Sequence, residues 1–227
     1  MRWIVTFMAA AIISTSALAL GLSDLSNADA SGGLKEALIQ GAGKAVGKLG
    51  AVDGFFKNPQ VKIPLPDSLK KVEKTMRAFG MGKQADELVL RMNRAAEAAV
   101  PEAQALLVNS VKQMSVTDAK NILTGGDDAA TQYFKKTTSA PMAEKFLPIV
   151  KKATEDVKLA QQYDKFAGTG VKYGLVKKDQ ANLEQYVTQK ALDGVYLMMA
   201  EEEKAIRANP MGQASGLLQK VFGAIGK

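Results

Sequence analysis

Any chemistry in this chain has to come from carboxylates, hydroxyls, amides and amines, because the sequence holds no histidine and no cysteine. Without His, the usual general base, pH switch and commonest metal ligand are missing. A standard nucleophile triad is excluded on the same ground. A Ser–Lys dyad needs no His, but no S-x-x-K element comes with its companion motifs. The carboxylates fall into small groups. Asp127-Asp128 reads as a helix cap with favourable dipole placement. Glu201-Glu202-Glu203 reads as a solvated helix face, with Glu203 and Arg207 an i,i+4 pair. Neither group has the alternating oxygen ligands of a calcium loop, so no metal site and no cofactor is expected. Gly41-x-Gly43-x-x-x-Gly47-Lys48 has the wrong spacing for either phosphate-binding loop, and no strand precedes it.

Asn93-Arg94-x-x-Glu97 carries more. Asn93 and Glu97 are i,i+4 neighbours, Arg94 and Glu97 are i,i+3, and the Ala95, Ala96, Ala98 and Ala99 around them are too small to screen them. Two readings stand open. One is an exposed ion pair of little energetic weight. The other is a semi-buried polar patch facing the core helix, joined by Asp193 or Lys190, because a buried charge needs partners. Carboxylate pairs also hydrolyse glycosides when roughly 5–10 Å apart. Sequence alone places no two of Glu97, Asp118, Asp193 and Glu202 at that separation.

The elements that must position these groups are helices. Tyr186 to Arg207 is the organising stretch: Ala191, Leu192, Val195, Tyr196, Leu197, Met198, Met199 and Ala200 put apolar groups on every face, which predicts a buried helix over about 180–207. Helical spacing also predicts Leu34–Leu49, then Pro66 or Asp67 to Phe79, with Leu69, Val72, Met76 and Phe79 on one face. Gly80 and Gly82 should end that helix. Lys83–Val100 follows, with Leu88, Met92, Ala95, Ala96 and Ala99 buried, then Pro101–Met114 with a Leu106, Leu107, Val111 and Met114 face. A short helix capped by Ser115 or Thr117 reaches Leu123, and Gly125-Gly126 stops it. Asp127 should cap the next, with Ala130, Tyr133, Phe134 and Thr137 on one face. A separate helix opens at Ser139 with Pro141 and runs towards Phe166, kinked or broken near Pro148. A loop at Gly168–Gly174 and a last helix at Gln213–Phe222 complete the chain. Gly41, Gly43 and Gly47 would let another backbone approach the first helix. Between the first two helices, Asn58-Pro59 marks a turn, and Val61, Ile63 and Leu65 alternate with Lys62 and Pro64. That pattern predicts an extended Pro-containing arm at about 58–66 with one apolar edge. The fold class is all-α: one globular domain of about eight or nine helices.

The chain begins like an export signal. Arg2 is the positive region, Ile4–Leu20 the apolar one, and Ala28-Asp29-Ala30 an A-x-A cleavage site before Ser31. Ala17-Leu18-Ala19 is a second such site, and an uncleaved anchor is the competing reading. Residues 1–30 are thus expected as a cleaved leader and 31–227 as the mature, periplasmic domain. Removing Arg2, Asp24 and Asp29 leaves 29 basic against 21 acidic residues, a net charge of +8. That charge suits an anionic envelope partner, including peripheral contact with an anionic membrane, and equally suits plain solubility. The lysines are neither clustered nor interleaved with aromatics, so nucleic acid is not expected.

Several stretches taken together resemble a known family. They are Asp53-Gly54-Phe55-Phe56, Val61 to Pro66, Asn93 to Glu97, Asp118-Ala119 with Ile122-Leu123 and Gly125, Ala130 to Phe134, Tyr186 to Gly194, and Glu202-Glu203 with Ile206-Arg207 and Pro210. Their order and spacing resemble the bacterial exported proteins grouped as DUF4197, over Gly33 to Gly223. The resemblance implies an envelope location and a single helical domain, and brings no activity, cofactor or catalytic residue. The candidate binding patch is Asn93, Arg94, Glu97, Asp118, Tyr133, Asp193, Glu202 and Arg207. The expected function is binding, either of an envelope protein or of an apolar ligand between helices. A carboxylate-based hydrolase of envelope glycans is the alternative.

Overall fold

The computed structural model describes residues 27–80, 82–155, 160 and 182–209. These contain seven α-helices, one 3-10 turn and no strand: α1 (Asn27–Gly50), α2 (Asp67–Ala78), α3 (Gly82–Ala99), the turn (Val100–Glu102), α4 (Ala103–Gln113), α5 (Val116–Leu123), α6 (Ala129–Thr154) and α7 (Leu183–Ala208). The chain is all-α as its periodicity predicts, with fewer helices than the eight or nine expected. One reason is local. The two helices expected over 127–166 are a single α6 that runs through Pro141 and Pro148. Residues 1–26 of the expected leader, residues 156–159 and 161–166 of the expected helix, and the loop and last helix expected at Gly168–Gly174 and Gln213–Phe222 lie outside the described residues.

Helix α6 continues through its prolines because its packing has a repeat that ignores them. Ala130, Phe134, Thr138, Met142, Phe146 and Val150 are buried at every fourth position, and Thr154 closes the row. Such a row is the i±4n ridge that fits the groove of a neighbouring helix. Each proline removes one backbone bond. Just before Pro141, the Thr137, Thr138 and Ser139 hydroxyls donate to the carbonyls of Tyr133, Phe134 and Lys135, at 2.9, 2.6 and 2.6 Å. Thr137 itself is exposed, so Thr138 and not Thr137 holds the core position.

Helix α7 lies at the centre, packed against α6, α1 and α3, while α3 also packs on α6. Helix α4 and the 3-10 turn cover α1 and α6, α5 lies across the same two helices, and α2 rests on α3. Asn182 opens α7, its side chain accepting the Gln185 N–H at 2.8 Å. The predicted burial holds for Ala191, Leu192, Val195, Tyr196, Met198 and Met199. It fails at Leu197, which is 41% exposed and shares an outer stripe with Gln189, Lys190 and Asp193. Among the described residues, this stripe is an exposed face of α7. Between α6 and α7, the Tyr196 hydroxyl lies 2.9 Å from Thr138 Oγ1 and accepts from Ser139 Oγ at 3.1 Å. Burial pushes the Tyr196 phenol above its usual range.

Other expectations shift by a turn or less. Phe79 is 75% exposed, because α2 ends at Ala78 and Gly80 turns the chain with a φ of +76°. Gly82 opens α3 rather than closing α2. Pro101 sits in the 3-10 turn that precedes α4. Gly41 meets only side chains of α7, and a Cβ added at Gly47 would touch nothing, so no backbone exploits those glycines. Asp127 does not cap α6. Asp128 occupies that position with no capping bond of its own. No helix among the described residues is long and apolar enough to cross a membrane.

Candidate functional site

The arm exists because α3 holds it. Leaving α1, the chain makes a tight turn at Asp53, with φ at 70°, and Gly54, where a Cβ would overlap the Lys48 and Leu49 carbonyl oxygens. Phe55 then drops into the core, fully buried. The turn exposes two backbone N–H groups, Phe55 and Phe56, and both donate to Glu97 Oε1 at 3.0 Å. The other carboxylate oxygen accepts from Arg94 at 2.5 Å. Arg94 bonds Asp53 at 2.6 Å, and Asp53 pairs with Lys57 at 2.8 Å. Hydrogen bonds from Lys57 and Arg94 hold the Asp53 carboxyl below the usual carboxylate range. The hydrogen bonds that Arg94 donates to Glu97 and Asp53 raise its own pKa.

One turn earlier on α3, the buried Asn93 side chain accepts the Ile63 N–H at 2.8 Å and donates to the Ile63 carbonyl at 2.9 Å. A primary amide carries both a donor and an acceptor, so it can take the place of a neighbouring strand. Ile63 is fully buried, Val61 and Leu65 nearly so, while Lys62 and Pro64 face out. The single apolar edge is the one the alternation predicts.

Of the two readings of Asn93-Arg94-x-x-Glu97, the semi-buried patch is the one observed, but it faces the arm and not α7. Asp193 and Lys190 do not join it. They lie on the open stripe of α7, 3.8 Å apart, and Asp193 accepts from Gln189 at 2.9 Å. The rest of the expected patch is likewise distributed among separate jobs. Asp118 forms a capping box with Ser115 at the start of α5, and those hydrogen bonds lower its pKa. Tyr133 donates to the Ser110 carbonyl at 2.9 Å. Glu202 pairs with Lys48 at 2.5 Å. Arg207 donates to the Ile122 carbonyl at 2.9 Å and pairs with Glu203 at 2.9 Å.

Glu203 is the residue that sequence reasoning placed wrongly. It is buried, not solvated, and it accepts the Ala130 and Thr131 N–H groups at 3.0 and 2.9 Å and the Thr131 hydroxyl at 2.9 Å. It supplies the cap that Asp127 and Asp128 do not, at the positive end of the α6 dipole. Its i,i+4 pairing with Arg207 was visible in the sequence. Its reach to a helix more than seventy residues away was not.

Where the arm's outer side meets the open stripe of α7, a groove of about 300 Å³ remains. Val61, Leu65, Gly194 and Leu197 form its apolar floor and wall, and Gln60, Lys62, Asp67, Lys190 and Asp193 its polar rim. Tyr186 ties the two walls together by donating to the Pro64 carbonyl at 3.1 Å. Gln60 donates to Glu201 at 2.5 Å. Gly194 is required here, since a Cβ would lie 2.7 Å from the Phe55 ring. Lys62 lies 4.6 Å from the centre of the Phe56 ring. The volume is at the lower end of small-ligand sites. A second hollow, between α1, α6 and α7 beside Glu203, has about 20 Å³, room for a water and no more. Among the described residues no group of acidic side chains is arranged to hold a metal ion.

The fold and this groove define an all-α protein in which the segment 58–66, a turn over 58–62 followed by residues without helix or strand, is held by α3 beside the open stripe of α7. The chain belongs to the family described as protein of unknown function, DUF4197, whose model matches residues 24–223. No curated protein and no solved structure matches it.

Proposed function

We propose that this is an exported, periplasmic binding protein of the cell envelope, and that the groove between the arm and α7 is its binding site. The observation that carries this reading is the construction of the groove. Three polar side chains, Asn93, Glu97 and Tyr186, fix an irregular segment in place, and the segment's free side leaves apolar surface uncovered beside charged groups. Holding backbone without regular structure costs conformational entropy, which a merely connecting loop has no need to spend. The basic charge and the leader-like N-terminus support an envelope setting. The occupant is an apolar ligand or an envelope partner that inserts an apolar group.

The alternative, a hydrolase of envelope glycans, needs two carboxylates in one cleft. Of Glu97, Asp118, Asp193 and Glu202, the groove holds Asp193 alone, and the second carboxylate on its rim, Asp67, is paired with Lys70 as Asp193 is with Lys190. Glu97 and Asp118 are taken up in holding backbone, and Glu202 is tied to Lys48.

Native mass spectrometry tests the binding reading. The protein is expressed with its own leader and purified from the periplasm without detergent. Excess mass released on denaturation, and lost in Leu197→Asn, is the expected result. A bare mass together with no crosslinked partner in the periplasm would overturn it.

A further inference from the structure

The charges around the groove are unequal in a way that selects an occupant. Asp67 pairs with Lys70 at 2.7 Å, and Asp193 pairs with Lys190 at 3.8 Å and also accepts from Gln189. Both acidic groups of the rim are therefore matched by cations. Lys62 is not: among the described residues it forms no ion pair, and its ammonium rests over the Phe56 ring. That ring is itself fixed, because the Phe56 N–H is one of the two bound by Glu97. The groove thus combines apolar lining, chiefly the exposed Leu197 with the small open parts of Val61 and Leu65, with one rim side chain, Lys62, whose positive charge has no ionic partner among the described residues. An ammonium held on an aromatic face keeps its hydrogen-bond donors available to an anion.

We infer that the groove takes an amphiphilic anion as a free, single-chain molecule: an apolar body seated on Val61, Leu65 and Leu197, and a carboxylate head bound by Lys62. The inference rests on the groove being the binding site and adds the class of ligand. A single chain is the occupant that about 300 Å³ accommodates, and a charge-assisted bond to Lys62 supplies discrimination over the neutral analogue.

Isothermal titration with decanoate and with 1-decanol, both below their aggregation limits, tests it on the full protein. Decanoate is expected to bind at least about tenfold more tightly than decanol, by the worth of one charged hydrogen bond. Lys62→Met should bring decanoate to the level of decanol and leave decanol unchanged. Leu197→Asn should weaken both. Lys204→Ala, which removes the same charge from a position outside the groove, should change neither. If Leu197→Asn weakens both probes but Lys62→Met spares decanoate, the groove reading stands and the anion inference is overturned. If Lys204→Ala weakens decanoate as much as Lys62→Met does, the effect is net charge and the inference fails. If neither probe binds, or Leu197→Asn changes nothing, both the inference and the groove reading fail. Phosphatidylglycerol vesicles separate a free molecule from a membrane. The protein should stay in the supernatant, and co-sedimentation that Lys62→Met abolishes would overturn the free-molecule occupant.

Discussion

On the side of residues 58–66 that meets α3, Asn93 satisfies both backbone groups of Ile63, and Ile63 itself is fully buried. In the preceding turn, Glu97 takes the N–H groups of Phe55 and Phe56. On the side that meets α7, hydrogen bonds from Tyr186 to the Pro64 carbonyl and from Gln60 to Glu201 span the gap, Leu197 is left 41% exposed, and Lys62 has no ionic partner among the described residues. The same few residues are fixed on one edge and available on the other. Buried polar groups are costly unless every bond is made, so the α3 side has little freedom to vary its chemistry without losing the arm. The α7 side has no such constraint. Substitutions at its exposed positions, such as Leu197, should leave stability nearly unchanged and alter what the groove accepts.

The largest effect on stability should come from Glu97→Ala, which orphans two backbone N–H groups and leaves Arg94 and Asp53 without the third member of their network. A loss of about 3 kcal/mol or more is expected in urea denaturation. Glu97→Gln separates the two roles. It keeps an acceptor for the Phe55 and Phe56 N–H groups and should cost distinctly less. Equal losses for both variants would mean that the Arg94 ion pair, not the backbone, is what Glu97 serves.

Gly194→Ala comes next. Its methyl would meet the Phe55 ring, and either the arm or α7 must shift, for a cost of about 1–3 kcal/mol. Because the displaced groups form the groove wall, ligand binding should fall together with stability. Full binding in a destabilised Gly194→Ala protein would detach the groove from the packing of Phe55. On the open side, Leu197→Asn should change stability by no more than about 0.5 kcal/mol, as a surface substitution does.

The smallest effect concerns acid. Asp53 and Asp118 both have carboxyls held below the usual range, the first by Lys57 and Arg94 at the arm turn, the second by Ser115 at the α5 cap. A carboxyl depressed in the folded state contributes stability that is fully present above its unfolded value. That contribution is lost as pH falls through the folded value. The window therefore lies below the ordinary aspartate range, and stability should be flat above it. Asp53→Asn and Asp118→Asn should each lower stability near neutral pH, where the contribution is fully present, and converge with the parent in acid, which makes the acid side of the pH–stability curve shallower. A loss that persists undiminished at low pH would contradict the assignment.

Much of the architecture was legible in the residues, and the failures share a cause. The arm could be read because alternation at Val61, Ile63 and Leu65 and the prolines at 64 and 66 are local signals. The apolar faces of α1, α3 and α4 could be read from spacing for the same reason. Helix α6 could not, because a row of buried residues at every fourth position, meeting α7 and α3, outweighs the two bonds its prolines remove. Glu97 and Glu203 could not be placed either. Each looks in sequence like half of an i,i+3 or i,i+4 surface pair, and each is buried beneath backbone 41 to 73 residues away. Charge spacing along one helix reports the partner on that helix and carries no information about distant N–H groups. The groove is hidden in sequence for a related reason, since its two walls come from residues 60–67 and 186–197.

Amide hydrogen exchange at Phe55, Phe56 and Ile63 tests most directly whether α3 fixes the arm. These three amides lie in a segment without helix or strand, yet their protection should approach that of the α3 amides. Asn93→Ala should release Ile63, and Glu97→Ala should release Phe55 and Phe56. Exchange of all three in the native protein at the rate of an open loop would mean that the arm is not held, and the groove would lose one of its walls.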